Sequence, residues 1–263
     1  MQANLKKCII SEKSLTDIIL TSISRQKDGV RLSDFYVMEL DSDRQAELRK
    51  TYGVCTSGDI VESVVDAGVV IIAVEGRDKA KAIMEQIKGK VVEGALLISL
   101  ASHVAISEIE KFFPNNAIVR MAVNPSIVSG SGIGAYVVGG VKSQDADSMA
   151  KMILSSKGRE IPVASEDELE VVRDIIFVET VYSYLALKTF IECGIRAGVS
   201  EKQSAYIAGQ VIAGAVRTVL GADEHIRKLL EQSAEQAEML NKGKKLGQHY
   251  GFQDTMEKAI AMQ

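Results

Sequence analysis

Tryptophan is absent from the 263 residues, and cysteine, histidine and proline occur only three times each. Cys8, Cys55 and Cys193 are scattered with no CxxC pair, which excludes a disulfide framework and a cysteine zinc site. His103, His225 and His249 are equally isolated and offer no metal-ligand spacing. A concentrated basic stretch is also missing. The net charge is -4 with acid and base interspersed, which argues against a nucleic-acid or anionic-membrane surface. No apolar run approaches the ~20 residues of a membrane span. The opening MQANLKKCII lacks an apolar signal region with a cleavage site, so the expectation is a cytoplasmic protein. What is present is an ordinary globular balance, 46% hydrophobic and 25% charged, in a chain long enough for one large domain or two modest ones.

Two patterns divide the chain. Up to about Pro162, short β-branched runs alternate with amphipathic segments. Strands are expected at Lys7–Ile10, Phe35–Leu40, Val69–Val74, Leu96–Leu100, Ile118–Val123 and Ala135–Val138. Helices are expected at Leu15–Ile23, Asp43–Tyr52, Lys79–Ile87 and Ile106–Phe112. The run VVIIAV at Val69–Val74 is apolar on both faces, as a central parallel strand covered on each side must be. This alternation predicts an α/β fold, a Rossmann-like doubly wound parallel sheet over residues 1–162.

Beyond Pro162 the strand signals stop. Asp167–Ala197, Glu201–Leu220, Glu224–Asn241 and Gln253–Met262 read as helices, with Gly194, Gly198 and Gly221 marking ends or turns. The first carries apolar residues on several faces, among them Val171, Val172, Ile175, Ile176, Phe177, Val181, Tyr184, Leu185 and Leu187. A helix apolar nearly all round needs burial that so small a bundle cannot supply. The expectation for residues 163–263 is an all-α dimerisation domain that joins a homodimer or a higher even oligomer.

In a doubly wound sheet the ligand site lies at the carboxyl ends of the strands, beside the first strand-to-helix turn. Here that turn is Ser11-Glu12-Lys13-Ser14-Leu15, with none of the glycines that let backbone approach a diphosphate. Ser11 and Ser14 would bond an oxygen or cap the following helix, Lys13 would neutralise a phosphate, and Glu12 adds a negative charge. Glu39 and Asp41 end the second strand. Glu39 would accept ribose hydroxyls and favour NAD(H) over NADP(H), the alternative being a solvated charge at a strand end. Ala73 and Val74 close the third strand on the crevice side. Asn124 before Pro125 has an amide suited to a carboxamide or a substrate carboxylate. The glycine-rich Ser129–Ala135 precedes a strand and reads as a connection.

Taken in order, Tyr52-Gly53-Val54, Val70–Val74 and Ile118–Gly132 resemble pyrroline-5-carboxylate reductase. Glu192–Ser200 and Ala208–Ala215 resemble that family's dimerisation helices. The resemblance implies a Rossmann domain, an interlocking helical dimer and a site between the domains. It also implies NAD(P)H as cofactor and a cyclic imine as substrate, with Asn124 and Tyr182 binding that substrate. The family's GxGxM loop stands here as Ser11–Leu15, and its Ala-Val-Lys-Pro as Ala73-Val74-Glu75-Gly76. Its Pro-Asn-Thr-Pro has become Val123–Ser126, keeping Asn124. Its Ser-Gly-Ser-Gly-Pro-Ala-Tyr has become Ile176–Tyr182, keeping Tyr182. Its Pro-Gly-Gly-Thr-Thr corresponds to Gln236–Leu240.

Three functions are therefore carried forward. One is an NAD(P)H-dependent reductase of a cyclic imine or related small molecule. Another is a non-catalytic dimeric scaffold or regulator. The third is a Rossmann protein for another adenosine compound such as S-adenosylmethionine, which has no diphosphate and needs no glycine loop. No single catalytic side chain stands out, because in nicotinamide chemistry the cofactor supplies the hydride and the protein supplies orientation.

Overall fold

The structure is a computed structural model that describes residues 6–24, 31–124, 126, 132–143, 145–154 and 159–221, with isolated positions between 226 and 251. The chain divides into two compact units, Met1–Ile176 and Phe177–Gln263.

The first unit is built on one eight-stranded sheet. In chain order, β1 (Lys6–Ser11) leads into α1 (Lys13–Ser24), and a short turn of 3-10 helix at Leu32–Asp34 precedes β2 (Phe35–Met38). Then follow α2 (Ser42–Tyr52), β3 (Cys55–Ser57), α3 (Ile60–Val64), β4 (Ala67–Ala73), α4 (Arg77–Ile87), β5 (Leu96–Ser99), α5 (Ile106–Ile109) and β6 (Ala117–Val123). The sheet is completed by β7 (Ile133–Gly140) and, after α6 (Ala146–Leu154), β8 (Arg159–Pro162). Their order across the sheet is β3-β2-β1-β4-β5-β6-β7-β8. Pairing is parallel throughout except at β6–β7, which is antiparallel. The six expected strands are all present. The short, mostly polar β3 and the largely exposed β8 are additions, and so are α3 and α6.

Alternation along the strands sends side chains to two cores, one on each face. Ile9, Ile71, Ile98 and Val119 pack with Ile19, Leu20 and Ile23 of α1 and with Ile153 and Leu154 of α6. Their chain neighbours Cys8, Ile10, Val70, Ile72, Leu97 and Ile118 pack with Ala80, Met84 and Ile87 of α4 and with Ile109. This double cover is why β4 tolerates no polar residue between Val69 and Ala73. Burial pushes the Cys8 thiol up to about 12, so it behaves as a small apolar side chain and not as a nucleophile.

The next helix, α7 (Glu166–Arg196), starts in the first unit and continues into the second, where α8 (Glu201–Gly221) follows it. Ser165 Oγ accepts the Glu168 N–H at the start of α7, and Glu168 Oε2 accepts that of Ala164, a reciprocal cap. The link between α7 and α8 turns at Gly198, whose φ of +90° favours glycine. A Cβ on Gly194 would stand 2.5 Å from Ser204 Oγ, so the close approach of α7 to α8 also requires glycine. The expected helices at Glu224–Asn241 and Gln253–Met262 fall largely or wholly outside the described residues.

Candidate functional site

The order of strands reverses at β1, with β2 and β3 on one side and β4 onward on the other. Ligands of doubly wound sheets bind at such a reversal, outside the carboxyl ends of the strands. The register pairs Ser11 with Ala73, so the residues that leave β1 and β4 emerge side by side there.

The turn from β1 to α1 is short, because Glu12 alone separates strand from helix. Its N–H donates to Ala73 O at 3.1 Å, and its carbonyl accepts from Thr16 N at 2.9 Å and from Thr16 Oγ1 at 3.1 Å. Ser11 Oγ hydrogen-bonds Thr16 Oγ1 at 2.5 Å, so this hydroxyl braces the turn from inside. The backbone of Lys13 and Ser14 opens α1, while their side chains lie outside the described residues.

The carboxylate of Glu12 reaches across to the β4–α4 connection. Its Oε1 accepts the Lys79 ammonium at 2.6 Å and the Glu75 N–H at 3.3 Å. The hydrogen bond from Lys79 is the main cause that holds the Glu12 carboxyl below the usual carboxylate range; partial burial opposes it and the Glu75 N–H assists. Ala73 and Val74, at the end of β4, are buried, one in each of the two cores.

Glu39 follows β2 directly. Its N–H donates to Ser57 O at 2.9 Å, and its carbonyl accepts Gln45 Nε2 at 2.7 Å. Its carboxylate Oε1 accepts the Asp41 N–H at 3.1 Å. Asp41 itself caps α2, accepting from Asp43 N and Arg44 N, and so has a structural part to play. Ser11, Glu12, Glu39, Ala73 and Val74 thus share one edge of the sheet. Asn124 stands at the same edge beyond β5, at the end of β6, with its Oδ1 accepting Ser126 N–H at 2.6 Å and its N–H donating to Ile133 O at 2.9 Å. Tyr182 belongs to the second unit, partly exposed on α7. Residues 127–131 of the glycine-rich connection and Gln236–Leu240 lie outside the described residues.

Two paired cations escape the sequence reading. Lys79 gives no local signal, since its partner lies 67 positions away. Arg120 does give one, a lone charge inside the apolar run of β6. It is buried, and its Nη1 and Nη2 donate to Glu166 and Glu170 of α7 at 2.6 and 2.5 Å. A charge inside a central strand demands such a partner.

No family model matches the chain. It is 24% identical over 255 residues to a curated pyrroline-5-carboxylate reductase of Synechocystis, covering 96% of this chain and 93% of that protein. Among solved structures, the Plasmodium falciparum pyrroline carboxylate reductase with NADP bound superposes with a TM-score of 0.88 at 18% identity, over 99% of this chain and 95% of the other. The Coxiella burnetii pyrroline-5-carboxylate reductase gives 0.84 at 22% identity, over 98% and 96%. The fold is that of the pyrroline-5-carboxylate reductases.

The cofactor this fold implies is a dinucleotide, and the donors at the crevice can be tested against it. A ribose diol needs a carboxylate acceptor at the end of the second strand, and Glu39 is one. A diphosphate needs N–H groups and a cation. Lys79, the Glu75 N–H and the start of α1 provide them, although the first two now hold the Glu12 carboxylate. The set fits a dinucleotide if Glu12 gives way.

Proposed function

We propose that the chain is an NAD(P)H-dependent oxidoreductase that reduces a cyclic imine or a related small molecule. The observation that carries this reading is the pair of acceptor and donor sites at the strand reversal: the Glu39 carboxylate after β2, and the anion-holding groups between the β1 turn and α4. The likeness over nearly the whole chain to pyrroline-5-carboxylate reductases supports it.

A bound nicotinamide cofactor supplies the hydride. The residues of this chain bind and orient. Glu39 accepts the ribose hydroxyls and repels a 2′-phosphate, so NADH is preferred to NADPH. Ser11, Lys13 and Ser14 form the turn and the first positions of α1, the end of the helix that attracts an anion. Ala73 and Val74 keep water from the cofactor's inner face. Asn124 positions the carboxamide or the substrate, and Tyr182 serves the substrate side. A second copy of the chain covers the apolar residues that α7 and α8 leave exposed, among them Val181, Tyr184, Leu185, Phe190 and Val211.

Titration of the protein with NADH, NADPH and S-adenosylmethionine, followed by fluorescence and thermal shift, tests the reading. NADH is expected to bind and to stabilise the fold. Glu39→Ala should weaken NADH by roughly 10- to 100-fold, the worth of about 1.5–3 kcal/mol for hydrogen bonds to a charged group, and should narrow the margin over NADPH. Consumption of NADH with cyclic imines of different charge then defines the substrate. Stabilisation by S-adenosylmethionine alone would favour a transferase, and stabilisation by nothing a scaffold.

A further inference from the structure

We infer that Glu12 is a built-in substitute for the cofactor's phosphate and that Lys79 is the cation that receives the phosphate when Glu12 is displaced. The inference rests on the dinucleotide reading above and adds to it the residues that set affinity at the diphosphate.

The backbone of the β1–α1 turn is spent. Glu12 N–H is committed to Ala73 O and its carbonyl to Thr16, so Glu12, the one residue between strand and helix, offers no N–H of the kind a glycine loop presents. Beyond the first N–H groups of α1, an anion arriving at this edge meets the donors of the β4–α4 connection. The charged residues that open α4 divide their attention. Arg77 and Lys81 both donate to Glu108 at 2.6 Å, on the α5 side. Lys79 points the other way, to the β1 turn, and the Glu75 N–H converges on the same carboxylate oxygen. An ammonium and a backbone N–H meeting on one oxygen make an anion seat, and the chain fills it with its own carboxylate.

The occupant is displaceable. Lys79 has more than half of its side chain exposed and Glu12 more than a quarter, and an ion pair this open to water is weakly held. A diphosphate brings more negative charge and more acceptor oxygens to the same donors. Binding must nonetheless expel one carboxylate, so the wild-type chain holds a dinucleotide less tightly than the same seat would if empty. This device replaces the missing glycines: phosphate is met by a side-chain cation and the Glu75 N–H, both reached through exchange.

The test compares wild type, Glu12→Gln and the double variant Glu12→Gln with Lys79→Gln, each titrated with NADH at low and moderate salt. Removing the Glu12 charge is expected to tighten NADH about tenfold, and removing Lys79 as well is expected to abolish that gain. The gain should shrink as salt rises. Thermal unfolding of the unliganded proteins runs alongside, so that a loss of fold is not read as a loss of binding. If wild type binds NADH and Glu12→Gln binds it equally or more weakly, the inference is overturned while the dinucleotide reading stands. If none of the three forms binds NADH or NADPH, both fall together.

Discussion

Arg120 lies in the middle of β6 with 4% of its surface exposed, in a strand otherwise made of apolar residues. Desolvating a guanidinium there is tolerable because Glu166 and Glu170 meet it from the first turns of α7. Glu166 also accepts the Ile106 N–H, so a single carboxylate joins the sheet, α5 and α7. Replacing Arg120 by Leu should destabilise the protein by about 2–4 kcal/mol in urea unfolding, toward the lower end for a broken buried pair because the two carboxylates keep some contact with water. A variant as stable as wild type would show that the carboxylates simply turn to solvent. At this scale the sequence was partly legible. The places of Glu39 after β2 and of Asn124 after β6 could be picked out. Ser11 is expected to touch ligand or cap α1, and the structure adds that its hydroxyl braces the turn through Thr16.

Between elements, the α4–α5 contact is an electrostatic clamp. Arg77 and Lys81 stand one helical turn apart and share the Glu108 carboxylate, which also accepts the Ala105 N–H. Glu108 is held down to about 2, chiefly by Lys81, then by Arg77 and the Ala105 N–H, against partial burial. A carboxyl whose folded value lies below its unfolded value of about 4.3 adds stability above that value and loses it as pH falls through the folded one. The urea midpoints of wild type and Glu108→Gln should therefore differ at pH 6 and draw together between about pH 4 and pH 2. A gap that does not change with pH would remove the charge from the explanation. The two strands absent from the sequence reading share a physical cause. β3 is three residues long, and β8 is exposed and ends at Pro162, so neither carries the alternation that marks a half-buried strand. α6 is a different case, since Ala146, Ala150, Ile153 and Leu154 share its buried face and the apolar spacing was there to be read.

For the whole molecule, the second unit poses the question of assembly. Val181, Tyr184, Leu185 and Phe190 of α7 and Tyr206, Ile207 and Val211 of α8 are all more than 45% exposed in the single chain. So much apolar surface on adjacent helices is unusual for a monomer. Light scattering should return a dimer or a larger even assembly, and Phe190→Asp together with Val211→Asp should shift it toward monomer with a fall in melting temperature. A wild-type monomer would exclude the second copy. No described helix is long and apolar enough to cross a membrane.

Periodicity and alternation were enough to place the six principal strands, α7 and α8, and the strand ends at the reversal of the sheet. Those features follow from local geometry: which face each residue presents is settled within a few positions of the chain. The pairings that give the crevice its chemistry were out of reach of that logic. Glu12 and Lys79 are 67 positions apart and meet because parallel register brings the ends of β1 and β4 side by side, while Arg120 and Glu166 are 46 apart and meet where the start of α7 lies against β6. The missing glycines could be seen in the sequence. That a carboxylate and an ammonium now meet where the glycines would have bared the backbone follows from the fold, because charges pair through space and not along the chain.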